Sequence, residues 1–238
     1  MIAGGLRPEA TDALYKRGIK IIQPVRSSIL PEPTSSHADM LMTYFGDGEI
    51  ALSPEEASLK NELKQYGCVY FGNEETQTGP ELSPEYPGDA IYNVCIIGNR
   101  IITGKHRQTT NNYLKKQDPE RQIITVNQGY TKCSICVVNM NTIITEDRGV
   151  AKVLKSNGIE VLLIDPGHVS LPGYDRGFFG GCCGLISKNV MAFNGDLDLH
   201  PQAKIIRDFL LKHNIETLSL SSGQLTDIGS FIQLREYV

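Results

Sequence analysis

SICVVNMNTIITEDRGVAKVLKSNGIEVLLID, residues 134–165, spells out one complete structural unit. An apolar, β-branched run meets a short polar turn and a second such run at 134–145, the pattern of a β-hairpin. Arg148–Ser156 then reads as a helix, closed by a glycine at 158, and GIEVLLID (158–165) reads as a third strand. The order is β-β-α-β.

The same order recurs along the chain, and a recurring period decides a fold before any motif does. Hairpin signatures stand at 40–52 (MLMTYFGDGEIAL), 93–103 (NVCIIGNRIIT) and 183–193 (CGLISKNVMAF), and a looser one at 229–238 (GSFIQLREYV). Helical stretches follow: one from the capping box Ser53-Pro54-Glu55-Glu56 to about Tyr66, then Thr109–Lys116 and Pro201–His213. Short apolar strands come next, GCVYFG, RQIITV and NIETLSL. The last hairpin has no helix after it, whereas residues 7–25 are a helix and a strand with no hairpin before them. The two termini therefore complete one another. The expected fold is α/β: a single domain over residues 1–238, five ββαβ units around a pseudo-fivefold axis, and a closed ring that leaves no sheet edge exposed.

Composition fits a packed globular domain, with 40% hydrophobic and 21% charged residues. A net charge of −4 argues against a nucleic-acid partner. No apolar run is long enough to span a membrane and no secretory pattern opens the chain, so the expectation is a cytoplasmic protein with its six cysteines as free thiols.

Residues opening each inner strand should face the central channel. They include His37 and Asp39, Asp89, Lys132 and Cys133, Cys182 and Cys183, and Asp227, with Asn93 level with Ser134 and Cys182. Charged groups are seldom buried without partners, so a ring of them suggests a site. A turn rich in Asp, Ser and Gly is the structural alternative. On a strand, His37 and Asp39 would point to the same side. Imidazole side chains in general titrate near neutrality, and a carboxylate can hold a planar guanidinium through two hydrogen bonds.

Five such units resemble the pentein, or α/β-propeller, superfamily of guanidino-group-modifying enzymes, which also has a non-catalytic branch in the ribosome anti-association factor. His37-Ala38-Asp39 is similar to the deiminase His-x-Asp, and Gly129-Tyr130-Thr131-Lys132-Cys133-Ser134 is similar to the Gly-x-x-His/Arg-Cys-x-Ser/Thr of the nucleophile. The resemblance implies a cysteine nucleophile, His37 as general acid/base, and Asp39, Asp89, Asn93 and Asp227 around a small guanidino or amidino substrate, with no cofactor and no metal. It implies a linear-amidine hydrolase or a transferase. The rival reading is a binding platform with a protein partner or a second copy of the chain.

Two thiols compete for the nucleophile. Chain order favours Cys133, with Lys132 beside it to lower its pKa. Cys182, set among the glycines of GFFGGCCGLI (177–186), is the alternative, and strand alternation lets only one of Cys182 and Cys183 face the channel. The chain departs from the enzymes in two ways. Its cysteine motif is not C-terminal, which requires cyclically permuted repeats, and Gln224 of Gln224-Leu225-Thr226-Asp227 replaces the acid that orients the histidine. Cys133 and Cys136 have CxxC spacing, but on a strand they would face opposite sides, so Cys136 reads as core. Arg26, Ser27 and Ser28 are candidates for an anionic end of the substrate. Asn73–Pro87 reads as a lid or partner surface, His168 as a further acid/base candidate, and His106, His200 and His213 as exposed.

Overall fold

The computed structural model describes residues 1–71, 79–106, 111–112, 114–115 and 119–234. It contains four three-stranded sheets: β1 (Met42–Gly46), β2 (Glu49–Leu52) and β3 (Val69–Phe71); β4 (Cys95–Ile97), β5 (Arg100–Gly104) and β6 (Gln122–Val126); β7 (Ile135–Asn139), β8 (Thr142–Thr145) and β9 (Glu160–Leu163); β10 (Cys183–Ser187), β11 (Val190–Phe193) and β12 (Glu216–Ser219). In each, the first two strands form an antiparallel hairpin and the third lies parallel to the second. The four first strands lie side by side in chain order.

The opening stretch shows why the unit forms. Asp147 caps helix α5 (Arg148–Ser156) by accepting from Val150 N at 2.9 Å, and Gly158 follows in the left-handed region at φ 76°. Val150, Ala151 and Leu154 share the buried face. Burying a Val or Leu side chain contributes roughly 1.5–3 kcal/mol, so this face, more than helix propensity, holds α5 on its sheet. Among the other helices are α1 (Pro8–Tyr15), α3 (Lys60–Gln65) and α6 (Ala203–Lys212), while α2 (Ala38–Leu41) and α4 (Thr131–Ser134) are single turns. The predicted helix Thr109–Lys116 is helical at residues 111–112 and 114–115, and its remainder lies outside the described residues, as do residues 73–78 of the predicted lid.

Among the described residues, the terminal segments pair in the sense of the four sheets without forming a sheet of their own. Ile2 bridges Ile232 antiparallel and Ile22 parallel. The C-terminal segment thus pairs with the N-terminus, and residues 235–238 of the hairpin expected within 229–238 lie outside the described residues. It also meets the neighbouring units on both sides: Ser230 Oγ donates to Cys183 O at 3.3 Å, and Tyr44 Oη donates to Leu234 O at 2.9 Å.

Two local expectations fail. The capping box at Ser53 does not close, because Ser53 N already donates to Leu41 O at 2.9 Å. Glu56 instead accepts from Val25 N at 3.1 Å, which leaves Glu56 Oε1 and Ser53 Oγ buried without hydrogen-bond partners among the described residues. The presumed strand starts are helical turns: α2 carries Asp39, α4 carries Lys132 and Cys133, and a 3-10 turn spans Gly180–Cys182. A single turn has no periodicity to betray it in the sequence.

Candidate active site

His37 precedes α2 and Asp39 lies in its first turn, so the two are presented by a helix start and not by strand alternation. Cys133 is delivered by α4, whose backbone is pinned by Asn93: Asn93 Oδ1 accepts from Lys132 N at 2.8 Å and from Cys133 N at 3.2 Å. Asn93 Nδ2 donates to Cys133 Sγ at 3.0 Å, and that thiol donates to Asp39 Oδ2 at 3.0 Å. His37, Asp39 and Cys133 present ligand-type atoms within 4.8 Å of one another. All three residues are buried, yet His37 and Cys133 line a cavity of about 400 Å³ together with Asp89, Asp227, Tyr130 and Phe178.

Asp227 supplies the carboxylate facing the histidine. Its Oδ1 lies 3.8 Å from His37 Nδ1, and its position is set by backbone amides, Gly229 N donating to Oδ1 at 3.0 Å and Phe178 N to Oδ2 at 2.9 Å. The neutral Gln224 therefore does not leave the imidazole without an acid. Gln224 donates to His168 O at 3.4 Å, away from the site.

Electrostatics set the resting state. Burial raises the Asp39 pKa to about 6; His37 opposes the rise and Asp227 adds to it. Burial also pushes the Cys133 thiol up, and the carboxylates of Asp39 and Asp227 push it further by repelling a thiolate. The sulfur is thus held as a thiol. Lys132 does not relieve this: its Nζ donates to Ser230 Oγ, and its side chain lines a separate cavity of about 540 Å³ with Cys183 and Phe231. The His37, Asp39 and Cys133 trio is also the one group of its kind among the described residues spaced to hold a metal ion. Asp227, whose Oδ1 lies 3.8 Å from His37 Nδ1, is already held by two amides.

Cys182 is elsewhere. Its Sγ and that of Cys183 both donate to Phe179 O, at 3.1 and 3.2 Å, inside an apolar cluster with Cys136, Met191 and Phe193. The alternation argument fails here because Cys182 ends a 3-10 turn. The glycines around it serve the Cys133 site. A Cβ on Gly181 would stand 2.0 Å from Asp227 Oδ1, and one on Gly180 would stand 2.6 Å from Cys133 O.

Asn93 and Asp89 lie at the site, Asp89 accepting from Tyr130 Oη at 2.7 Å. Arg26, Ser27 and Ser28 are engaged internally with Glu32, Ser35 and Glu55. His200 is buried, not exposed, and packs edge-on against His168 with ring centroids 5.0 Å apart. Sequence reasoning missed Tyr174, Arg176 and Phe178 as cavity walls. Their only signal was position, just before the glycine run.

Residues 1–232 match the model of the Family of unknown function (DUF6873). The chain belongs to this family. A search of curated proteins by sequence finds no match for this DUF6873 chain. Among solved structures it is similar to SxtG, an amidinotransferase from Microseira wollei, at a TM-score of 0.57 and 13% identity, covering 89% of this chain and 72% of that one. It is also similar to a mutant DDAH from Pseudomonas aeruginosa complexed with citrulline, at a TM-score of 0.53 and 10% identity over 92% and 90% of the two chains. At such identities the likeness establishes the pentein-like α/β fold of the DUF6873 chain. No helix among its described residues is long and apolar enough to cross a membrane.

Proposed function

We propose that this chain is an enzyme acting on a small guanidino or amidino compound through a covalent adduct of Cys133. The observation that carries the reading is one cavity lined by a thiol, an imidazole and carboxylates, in which the thiol is hydrogen-bonded to Asp39. A bound guanidinium would balance Asp39 and Asp227 and remove the repulsion that keeps the sulfur protonated. The thiol proton then passes to His37, and the sulfur adds to the amidino carbon. The carbon–nitrogen bond breaks as His37 returns that proton to the departing amine. Water, deprotonated by His37, displaces the sulfur to complete a hydrolysis; an amine in its place completes an amidino transfer.

The fold reading extends the same way. The bridges at Ile2 and the contacts of Ser230 and Tyr44 support a fifth unit built from both termini, closing a ring whose axis holds the site. Six free cysteines fit a reducing compartment such as the cytoplasm.

Alkylation by a haloacetamidine, followed by intact mass, tests the reading. Wild type should take up one equivalent; Cys133→Ser should take up none and Cys182→Ser should label normally. Labelling that survives Cys133→Ser, or is lost in a folded Cys182→Ser, refutes it.

A further inference from the structure

Asp89 is a buried carboxyl side chain with no ion-pair partner among the described residues. Its side chain is buried at 8% exposure and lines the cavity that holds Cys133. One oxygen accepts from Tyr130 Oη at 2.7 Å, while Oδ1 is buried and has no hydrogen-bond partner among the described residues. No Lys, Arg or His among them forms an ion pair with it. A buried carboxylate normally has a partner, because desolvating it alone is costly. Its surroundings suit a cation: Tyr130 stands 6.0 Å from Tyr86 and 6.3 Å from Phe178 between ring centroids, and Tyr174 lines the same cavity. Aromatic rings and a carboxylate together favour an ammonium group.

The thiol end of the cavity already has its own carboxylates, Asp39 and Asp227, so Asp89 is not needed to balance the guanidinium. Arg176 also lines the cavity and could be taken for the anchor of a substrate carboxylate. It is solvent-exposed, however, and its charge acts on Glu146. An exposed, screened cation recognises less strongly than a buried, unpartnered anion.

We infer that Asp89, with the Tyr130 and Phe178 rings, forms a second cation subsite, and that the substrate is a dication carrying a protonated amine at the end remote from its guanidinium. This deepens the reading of Cys133 as the nucleophile and rests on it. Amino-terminated guanidines are thereby favoured over guanidino acids of the same length.

Calorimetric titration of Cys133→Ser with three ligand series tests it: n-alkylguanidines, ω-aminoalkylguanidines and ω-guanidino acids of matched chain length. The best amino compound should bind about tenfold or more tightly than its alkyl counterpart, the usual scale of a buried charge-assisted hydrogen bond. The same comparison in Cys133→Ser/Asp89→Asn should show that gain lost, with alkylguanidine affinity kept. An amine that brings no gain, a gain that survives Asp89→Asn, or a guanidino acid that binds best overturns the subsite while leaving the guanidinium site standing. If alkylguanidines do not bind at all, the reading of the Cys133 site falls first and the subsite falls with it. The ligand comparison in Cys133→Ser decides the matter even if the doubly substituted chain does not fold.

Discussion

Replacing Asp39 by asparagine should activate the resting thiol toward neutral reagents. Cys133 Sγ and Asp39 Oδ2 are 3.0 Å apart. Two full charges at that separation repel by about 5 kcal/mol at an effective dielectric constant of about 20. Asp39 has its pKa near 6, so at pH 8 it is ionised and the repulsion operates. If half of it is realised, removing the carboxylate raises the thiolate population about a hundredfold. Asparagine keeps the size of the side chain and an oxygen that can still accept from the thiol. The assay compares alkylation of Cys133 by iodoacetamide and by chloroacetamidine at pH 8, each normalised to a free small thiol and localised by peptide mapping. Wild type should prefer the cationic amidine strongly, because that reagent brings its own counter-charge to Asp39 and Asp227. Asp39→Asn should react about a hundredfold faster with iodoacetamide, and its preference for the cation should shrink. An unchanged or slower iodoacetamide rate would falsify the electrostatic account.

Two further outcomes follow from the packing. Gly181→Ala places a methyl group 2.0 Å from Asp227 Oδ1, so the carboxylate must leave its place opposite His37; turnover or amidine labelling should collapse while thermal stability falls by only about 1–3 kcal/mol, and a fully active Gly181→Ala chain would refute the role given to Asp227. Glu56, buried beside Glu55, has its pKa raised to about 7 by desolvation. The folded state therefore binds this proton more tightly than the unfolded state, and stability is lost as pH rises from about 4.5 to about 7, by up to about 3 kcal/mol. Glu56→Gln should remove that part of the pH dependence in urea unfolding, and a slope identical to wild type would sink the assignment.

The repeat was legible because each unit obeys local rules that act within about thirty residues: two β-branched runs, a capped helix such as the one begun by Asp147, and a glycine stop at Gly158. Placing the site was harder. ADML, TKCS and GGC are each one helical turn, set by what they pack against, so strand alternation misjudged Cys182-Cys183 and reached the joint placement of His37 and Asp39 for the wrong reason. Chain order pointed to Cys133 and the hairpin column to Cys182; only the long-range pairing of Asn93 with α4 brings one sulfur to Asp39. The role of Asp227 was hidden because Gln224 occupies the place where an acid was expected. Its carboxylate comes from three residues further on.

The way Asp227 is held has a consequence for how such a site can vary. Its two oxygens are fixed by the amides of Phe178 and Gly229, and Gly181 leaves room for the carboxylate to lie against bare main chain. A peptide N–H is donated by every residue but proline, so the Phe178 side chain is not what positions the acid, whereas position 229 requires glycine because a Cβ there would stand 2.3 Å from His37 Cβ. The electrostatic frame of the site is written in the course of the backbone, and the cavity wall around it can change without disturbing that frame. A chain organised this way can exchange Tyr130, Tyr174 or Arg176 while keeping one arrangement of thiol, imidazole and carboxylates.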